Sequence, residues 1–135
     1  MKRKVRPRAG DACEYCGIPQ KLSKMRHQMD HIVAEKHGGE TQLFNLALAC
    51  IHCNLHKGSN IAGIDPLTHK QVPLFHPRKQ DWKDHFRWDG MRLVGLTTTG
   101  RTTIRVLEMN NETRLEIRRV YYDGGVFPWP TVSAR

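Results

Sequence analysis

Residues 13–58 read CEYCGIPQKLSKMRHQMDHIVAEKHGGETQLFNLALACIHCNLHKG, and the fold turns on this stretch. It opens with Cys13-x-x-Cys16 and closes with Cys50-x-x-Cys53, which together use all four cysteines of the chain. Each pair can present two thiolates to one ion from a tight knuckle, and two knuckles complete the closed tetrahedral site of structural zinc. Two disulfides or four free thiols are the alternatives. Zinc is preferred because Met1-Lys2-Arg3-Lys4-Val5-Arg6-Pro7-Arg8 is basic and no apolar leader follows it, so a reducing, cytoplasmic setting is expected, where paired cysteines bind metal sooner than they oxidise. Residues 17–49 separate the knuckles, more than a minimal zinc ribbon needs, so the chemistry is sought in the insert.

The insert holds His27-Gln28-Met29-Asp30-His31-Ile32, then His37-Gly38-Gly39, then Asn45-Leu46; the second knuckle runs straight into Asn54, with Lys57-Gly58 just beyond. Asp30 and Asn54 offer oxygen donors, which favour a hard ion such as Mg²⁺ or Mn²⁺ over zinc. The His31 imidazole can take a proton from water near neutral pH. Neighbours on a strand point to opposite faces, so Asp30 and His31 share a site only where the strand ends or twists.

The order Cys-x-x-Cys, Asp-His-Ile, Gly-Gly, Asn-Leu, Cys-x-x-Cys-Asn-x-x-Lys resembles the HNH endonuclease family over residues 13–58. The resemblance implies a ββα-metal core: a two-stranded hairpin packed on a helix, with a catalytic ion between them. It further implies Asp30 as a carboxylate metal ligand, Asn54 as a second ligand, His31 as the general base and Asn45 as the residue that orients the base. A backbone carbonyl near Asn45 is expected to fix the His31 tautomer. Family resemblance also suggests DNA phosphodiester hydrolysis leaving 3′-hydroxyl and 5′-phosphate ends. One departure stands out: some members carry a further metal-binding His where this chain has Gly58. That leaves two protein ligands, plus water and phosphate oxygens, for Mg²⁺ or Mn²⁺. Lys57 reads either as a phosphate contact or as a solvated surface lysine.

Composition agrees with a polyanionic partner. Lys and Arg total 22 against 13 Asp and Glu, a formal charge of +9 with a pI near 9.8, which favours nucleic acid, DNA first, over a membrane surface. No stretch approaches the apolar length of a membrane span. The runner-up function is a non-catalytic, zinc-stabilised nucleic-acid-binding module, which accounts for the knuckles and the charge but not for Asp30, His31, Asn45 and Asn54 together. Oligomeric state is not legible.

The fold class expected is α+β: a small ββα-metal core stapled by a four-cysteine zinc site, with a helix and strand extension, all one domain over residues 1–135. Residues 1–10 read as a basic, mobile arm, 11–58 as the nuclease core, 59–77 as an irregular connector and 78–135 as the extension with a loose tail from Asp123. Strands are expected over Met25–Ile32, over Leu43–Ala49 (a buried helical turn being the alternative) and over Met91–Leu96. Helices are expected over residues 51–57, over Arg78–Phe86, from near Thr99 with Ile104, Val106 and Leu107 inward, and over Asn111–Tyr121 with Asn111 as N-cap and Leu115 and Val120 buried. Phe75, Trp82, Phe86 and Trp88 are expected to pack on the core rather than stack on bases. The arginines of the last two helices read equally as a phosphate-binding or a solvated face. His37, His52, His56, His69, His76 and His85 read as surface or structural histidines, and His27 as a possible neighbour of the groove.

Overall fold

The computed structural model describes residues 1–129. Its elements are α1 (Val5–Arg8), β1 (Gln28–His31), β2 (Leu46–Ala49), α2 (Ile51–Lys57), β3 (Ala62–Ile64), β4 (Gln71–Pro73), α3 (Trp82–His85), β5 (Phe86–Asp89), β6 (Arg92–Gly95), α4 (Thr98–Val106) and α5 (Glu112–Asp123). The strands form three separate antiparallel pairs, β1–β2, β3–β4 and β5–β6. The mixture of helices and small antiparallel pairs is α+β, as expected.

The β1–β2 register pairs Asp30 with Ala47 and His31 with Leu46, so each pair shares a face. On one face Ala47 and Ala49 join the cysteines in the main core; their small side chains let α2 approach. On the other face Leu46 and Leu48 pack against Val5 and Ala9. Both strands are shorter than expected, and β2 starts late because Leu43–Asn45 forms a turn of 3-10 helix before it. Asn45 closes the connecting loop: its Oδ1 accepts from Val33 N–H and its Nδ2 donates to the carbonyls of Val33 and Glu40, each at 2.9 Å. Gly39 is required here, since a Cβ would stand 1.7 Å from the Val33 carbonyl oxygen.

The first ten residues are not a free arm. Val5 and Ala9 are fully buried, Arg6 donates to the His27 carbonyl at 2.6 Å, and Arg8 donates to the carbonyls of Leu43 and Leu46. Each apolar anchor removed from water contributes about 1–3 kcal/mol, enough to dock a short helix.

The connector contains a hairpin, β3–β4. Its turn is organised by Asp65, which accepts from Leu67 N–H, Thr68 N–H and the Thr68 hydroxyl and from both arms of the Arg101 guanidinium. The helix expected over Arg78–Phe86 shrinks to Trp82–His85. Arg78 is drawn off into an ion pair with buried Glu14, and Phe86 opens a strand whose alternating burial through Asp89 follows period 2, not 3.6. β6 and α4 fall within about a residue of expectation.

α5 starts where expected, with the Asn111 side chain accepting from Arg114 N–H at 3.0 Å. Its buried face differs: Leu115 is half-buried, Val120 is 67% exposed, and Arg118 is buried in its stead. Arg118 sets its guanidinium against the Trp88 ring, Cζ 4.9 Å from the ring centre, and donates to the carbonyls of Met91 and Met109 and to Asn110. The ring face attracts the cation while its N–H groups find acceptors, which makes the burial tolerable. Phe75, Trp82, Phe86 and Trp88 pack together as expected. The tail is tighter than expected as far as it is described, because Phe127 and Trp129 are buried beside Trp88 and Tyr121; the rest of it, residues 130–135, lies outside the described residues.

Candidate functional site

The two knuckles converge. Gly17 adopts φ 87° and donates its N–H to the Cys13 carbonyl, closing the first turn. Tyr15 and Cys16 N–H point at Cys13 Sγ, and Cys53 N–H at Cys50 Sγ, each at 3.4 Å. All four cysteines are free and buried, with their sulfurs within 4.8 Å of one another. Zinc at about 2.3 Å from each sulfur sets tetrahedral edges of about 3.8 Å, and Cys16 and Cys50 Sγ stand 3.7 Å apart. Burial pushes the Cys13 thiol well up and the neighbouring sulfurs push Cys53 the same way, while hydrogen bonds from the other sulfurs pull Cys16 well down; a cation held among them would favour the thiolate form. Against the cage lies Arg114, where the four cysteines outweigh burial and raise the guanidinium pKa. The residues present fit a structural zinc ion. Among the described residues this is the one group of three or more His, Cys, Asp or Glu with converging ligand atoms.

A second feature lies at β1 and α2. Asp30, His31 and Asn54 line one open cleft of about 310 Å³, with Glu35 and Ser59 at its rim. Asp30 enters from the core side of the strand and is nearly buried. Its Oδ2 accepts from the Tyr15 hydroxyl at 2.7 Å. Lys57 Nζ donates to Oδ1 at 3.2 Å, lies 3.1 Å from Oδ2, and donates to the His31 carbonyl at 3.1 Å. Burial pushes the Asp30 carboxyl up, while Lys57 and Tyr15 pull it back. Two carboxylate oxygens offer about four lone-pair positions, so Tyr15 and Lys57 leave acceptor capacity on the cleft side.

Lys57 is therefore neither a phosphate contact nor a surface lysine; it is 1% exposed. It lies three residues after Asn54 on α2 and so on the same helical face, which turns Asn54 to the cleft and Lys57 beneath Asp30. His31 is half-buried, with Nε2 2.9 Å from the Thr41 hydroxyl. The carbonyl of Asn45 is taken instead by Ile32 N–H, and the Asn45 side chain reaches His31 only through the loop that carries Thr41. His27 is buried away from the cleft on the Ile18 carbonyl.

Sequence reasoning missed Thr41, Tyr15 and Glu35. Thr41 follows the Gly-Gly turn as an ordinary loop residue, and only loop closure brings it to His31. Tyr15 sits inside the first knuckle, a visible but ambiguous signal. Glu35 is a carboxylate four residues beyond His31, and nothing in its spacing singles it out.

No helix of the described residues is long and apolar enough to cross a membrane. Neither the curated proteins nor the solved structures contain a match to the chain. The sequence model of one family, described as HNH endonuclease, matches residues 13–60, the segment that carries both knuckles, the β1–β2 hairpin and α2.

Proposed function

We propose that this chain is a metal-dependent endonuclease that hydrolyses phosphodiester bonds in nucleic acid, DNA first among them, within a single domain whose extension buttresses the knuckles. The observation that carries this reading is the shared cleft of Asp30, His31 and Asn54, set apart from the sulfur cage. His31 acts as general base. With Nε2 donating to Thr41, the tautomer leaves Nδ1 bare to take the proton of an attacking water. Asp30 and Asn54 supply hard oxygen donors for Mg²⁺ or Mn²⁺, and the Glu35 carboxylate belongs to the same cleft. Such an ion, when bound, stabilises charge on the phosphate and the leaving oxygen. Lys57 and Tyr15 hold the Asp30 carboxylate in place. The net charge of +9 draws the polyanion in.

The test is plasmid cleavage by the purified, zinc-loaded chain. Nicking is expected only with Mg²⁺ or Mn²⁺. His31→Ala is expected to lower the rate at least 10²-fold with an unchanged melting temperature, the range a general base supplies; equal cleavage by the variant rejects the assignment.

A second reading is favoured by one observation. The Lys57 ammonium already neutralises Asp30, as it would in a zinc-stabilised module that binds nucleic acid without cutting it. Retarded but intact DNA in Mg²⁺ and in Mn²⁺ selects that reading.

A further inference from the structure

We propose that the first helical turns of the chain form a phosphate-binding ridge for nucleic-acid backbone, on the face of the β1–β2 hairpin that carries His31. The inference rests on the nucleic-acid reading above and names the surface that engages the strand.

The helix is built to stay. Val5 and Ala9 pack on Leu46 and Leu48, and the β1–β2 register places Met29 and His31 on that same face, opposite Leu48 and Leu46. Arg6 is tied to the His27 carbonyl just before β1, and Arg8 to the carbonyls of Leu43 and Leu46 at the start of β2. The helix thus crosses the outer face of both strands. Two of its five cations are spent on this attachment. The other three, Lys2, Arg3 and Lys4, form a turn of 3-10 helix continuous with α1 and are exposed. Among the described residues no carboxylate pairs with any of them; the ion pair of this region joins Arg6 to Asp11. Arg8 meets the carbonyl of Leu46, the partner of His31, and Arg6 meets the His27 carbonyl at the other end of β1, so the helix enters from the His27 end with Lys2, Arg3 and Lys4 leading. Three unneutralised cations on a rigid support, toward the end of β1 away from His31, suit phosphates a few nucleotides along the strand from the one that the cleft would take. A docked helix also presents them without the ordering cost that a mobile arm would pay on binding.

The experiment measures anisotropy of a fluorescein-labelled duplex DNA of arbitrary sequence with the full zinc-loaded chain and no added Mg²⁺ or Mn²⁺. Wild type is compared with Lys2→Gln/Arg3→Gln/Lys4→Gln and with a charge-matched control, Lys70→Gln/Arg92→Gln/Arg119→Gln, whose positions are also exposed. The first triple variant is expected to weaken binding at least tenfold and to flatten the slope of log K against log salt by about 2–3, at roughly 0.9 for each phosphate no longer neutralised. The control is expected to stay within twofold, and both are expected to melt like wild type. Equal weakening by the two variants, or none by the first, overturns the proposal. If the wild type binds and cuts while the first variant binds normally, this inference alone fails. If the wild type binds but cuts with neither Mg²⁺ nor Mn²⁺, the catalytic reading alone fails. Absence of binding by the wild type removes both.

Discussion

Lys57 and Asp30 form a pair in which each partner makes the burial of the other tolerable. The ammonium is 1% exposed and donates to both Asp30 and the His31 carbonyl. Removing one member of a buried pair strands the other charge, at a cost of about 3–5 kcal/mol. Lys57→Met is expected to destabilise by that amount in urea unfolding, and Asp30→Asn/Lys57→Met to recover part of it; a single variant within about 0.5 kcal/mol of wild type, the range of surface substitutions, would refute the pairing. Asp65 is the opposite electrostatic case. The Arg101 guanidinium, forked onto both its oxygens at 3.0 Å, holds its carboxyl well below the usual carboxylate range. A depressed folded-state pKa stabilises fully above the unfolded value of about 4 and loses that stabilisation as the pH falls through the lower value. Asp65→Asn is expected to melt below wild type at pH 6, with the gap narrowing toward pH 2; a gap independent of pH contradicts the assignment. Of these groups, Asp30 stood out in the sequence because its immediate neighbours flag it. Lys57 carried the right letter in the right place, but its role depends on a strand more than twenty residues away.

At the scale of elements, α5 shows how helical phase is settled from outside the helix. Apolar Leu115 and Val120 suggested the inward face, yet Arg118 occupies it, under Trp88 and against three acceptors. An apolar stripe is a good guide when the neighbouring surface is purely apolar. Here the neighbour offers carbonyls of Met91 and Met109 that need donors, and a buried acceptor left unpaired is costly. Arg118→Ala is expected to cost about 2–3 kcal/mol, the range of hydrogen bonds to a charged group, whereas Val120→Lys is expected to stay within about 0.5 kcal/mol. Chemical denaturation of both variants checks the phase, and the reverse ranking would show that the other face is buried. The β3–β4 hairpin and β5 were missed for a related reason. Strands of three or four residues carry little periodicity of their own and are held by partners such as α4, where Gly63 admits Val106 so closely that a Cβ would come within 2.5 Å. The caps, by contrast, are local hydrogen bonds, and Asn111 was legible for that reason.

At the scale of the molecule, the sulfur cage joins segments that are distant in the chain. Trp82 Nε1 donates to the Tyr15 carbonyl and Trp129 Nε1 to the Cys16 carbonyl, so the first knuckle is gripped by the extension. Free energy of metal binding becomes free energy of folding in such a site. One zinc per chain is expected by elemental analysis, and Cys16→Ser/Cys53→Ser is expected to lose it together with the cooperative melting transition. A zinc-free wild type that melts unchanged would reject the structural role. The four cysteines were readable from spacing, because each knuckle brings two sulfurs together within a turn, and Asp30, His31 and Asn54 became candidates through the motif order that resembles the HNH family. Docking of the first helix, the Lys57–Asp30 pair, the Thr41–His31 hydrogen bond and the inward turn of Arg118 were not readable. Each of them pairs residues whose separation along the chain says nothing of their distance in space, and whose attraction becomes strong only after packing has excluded the water between them.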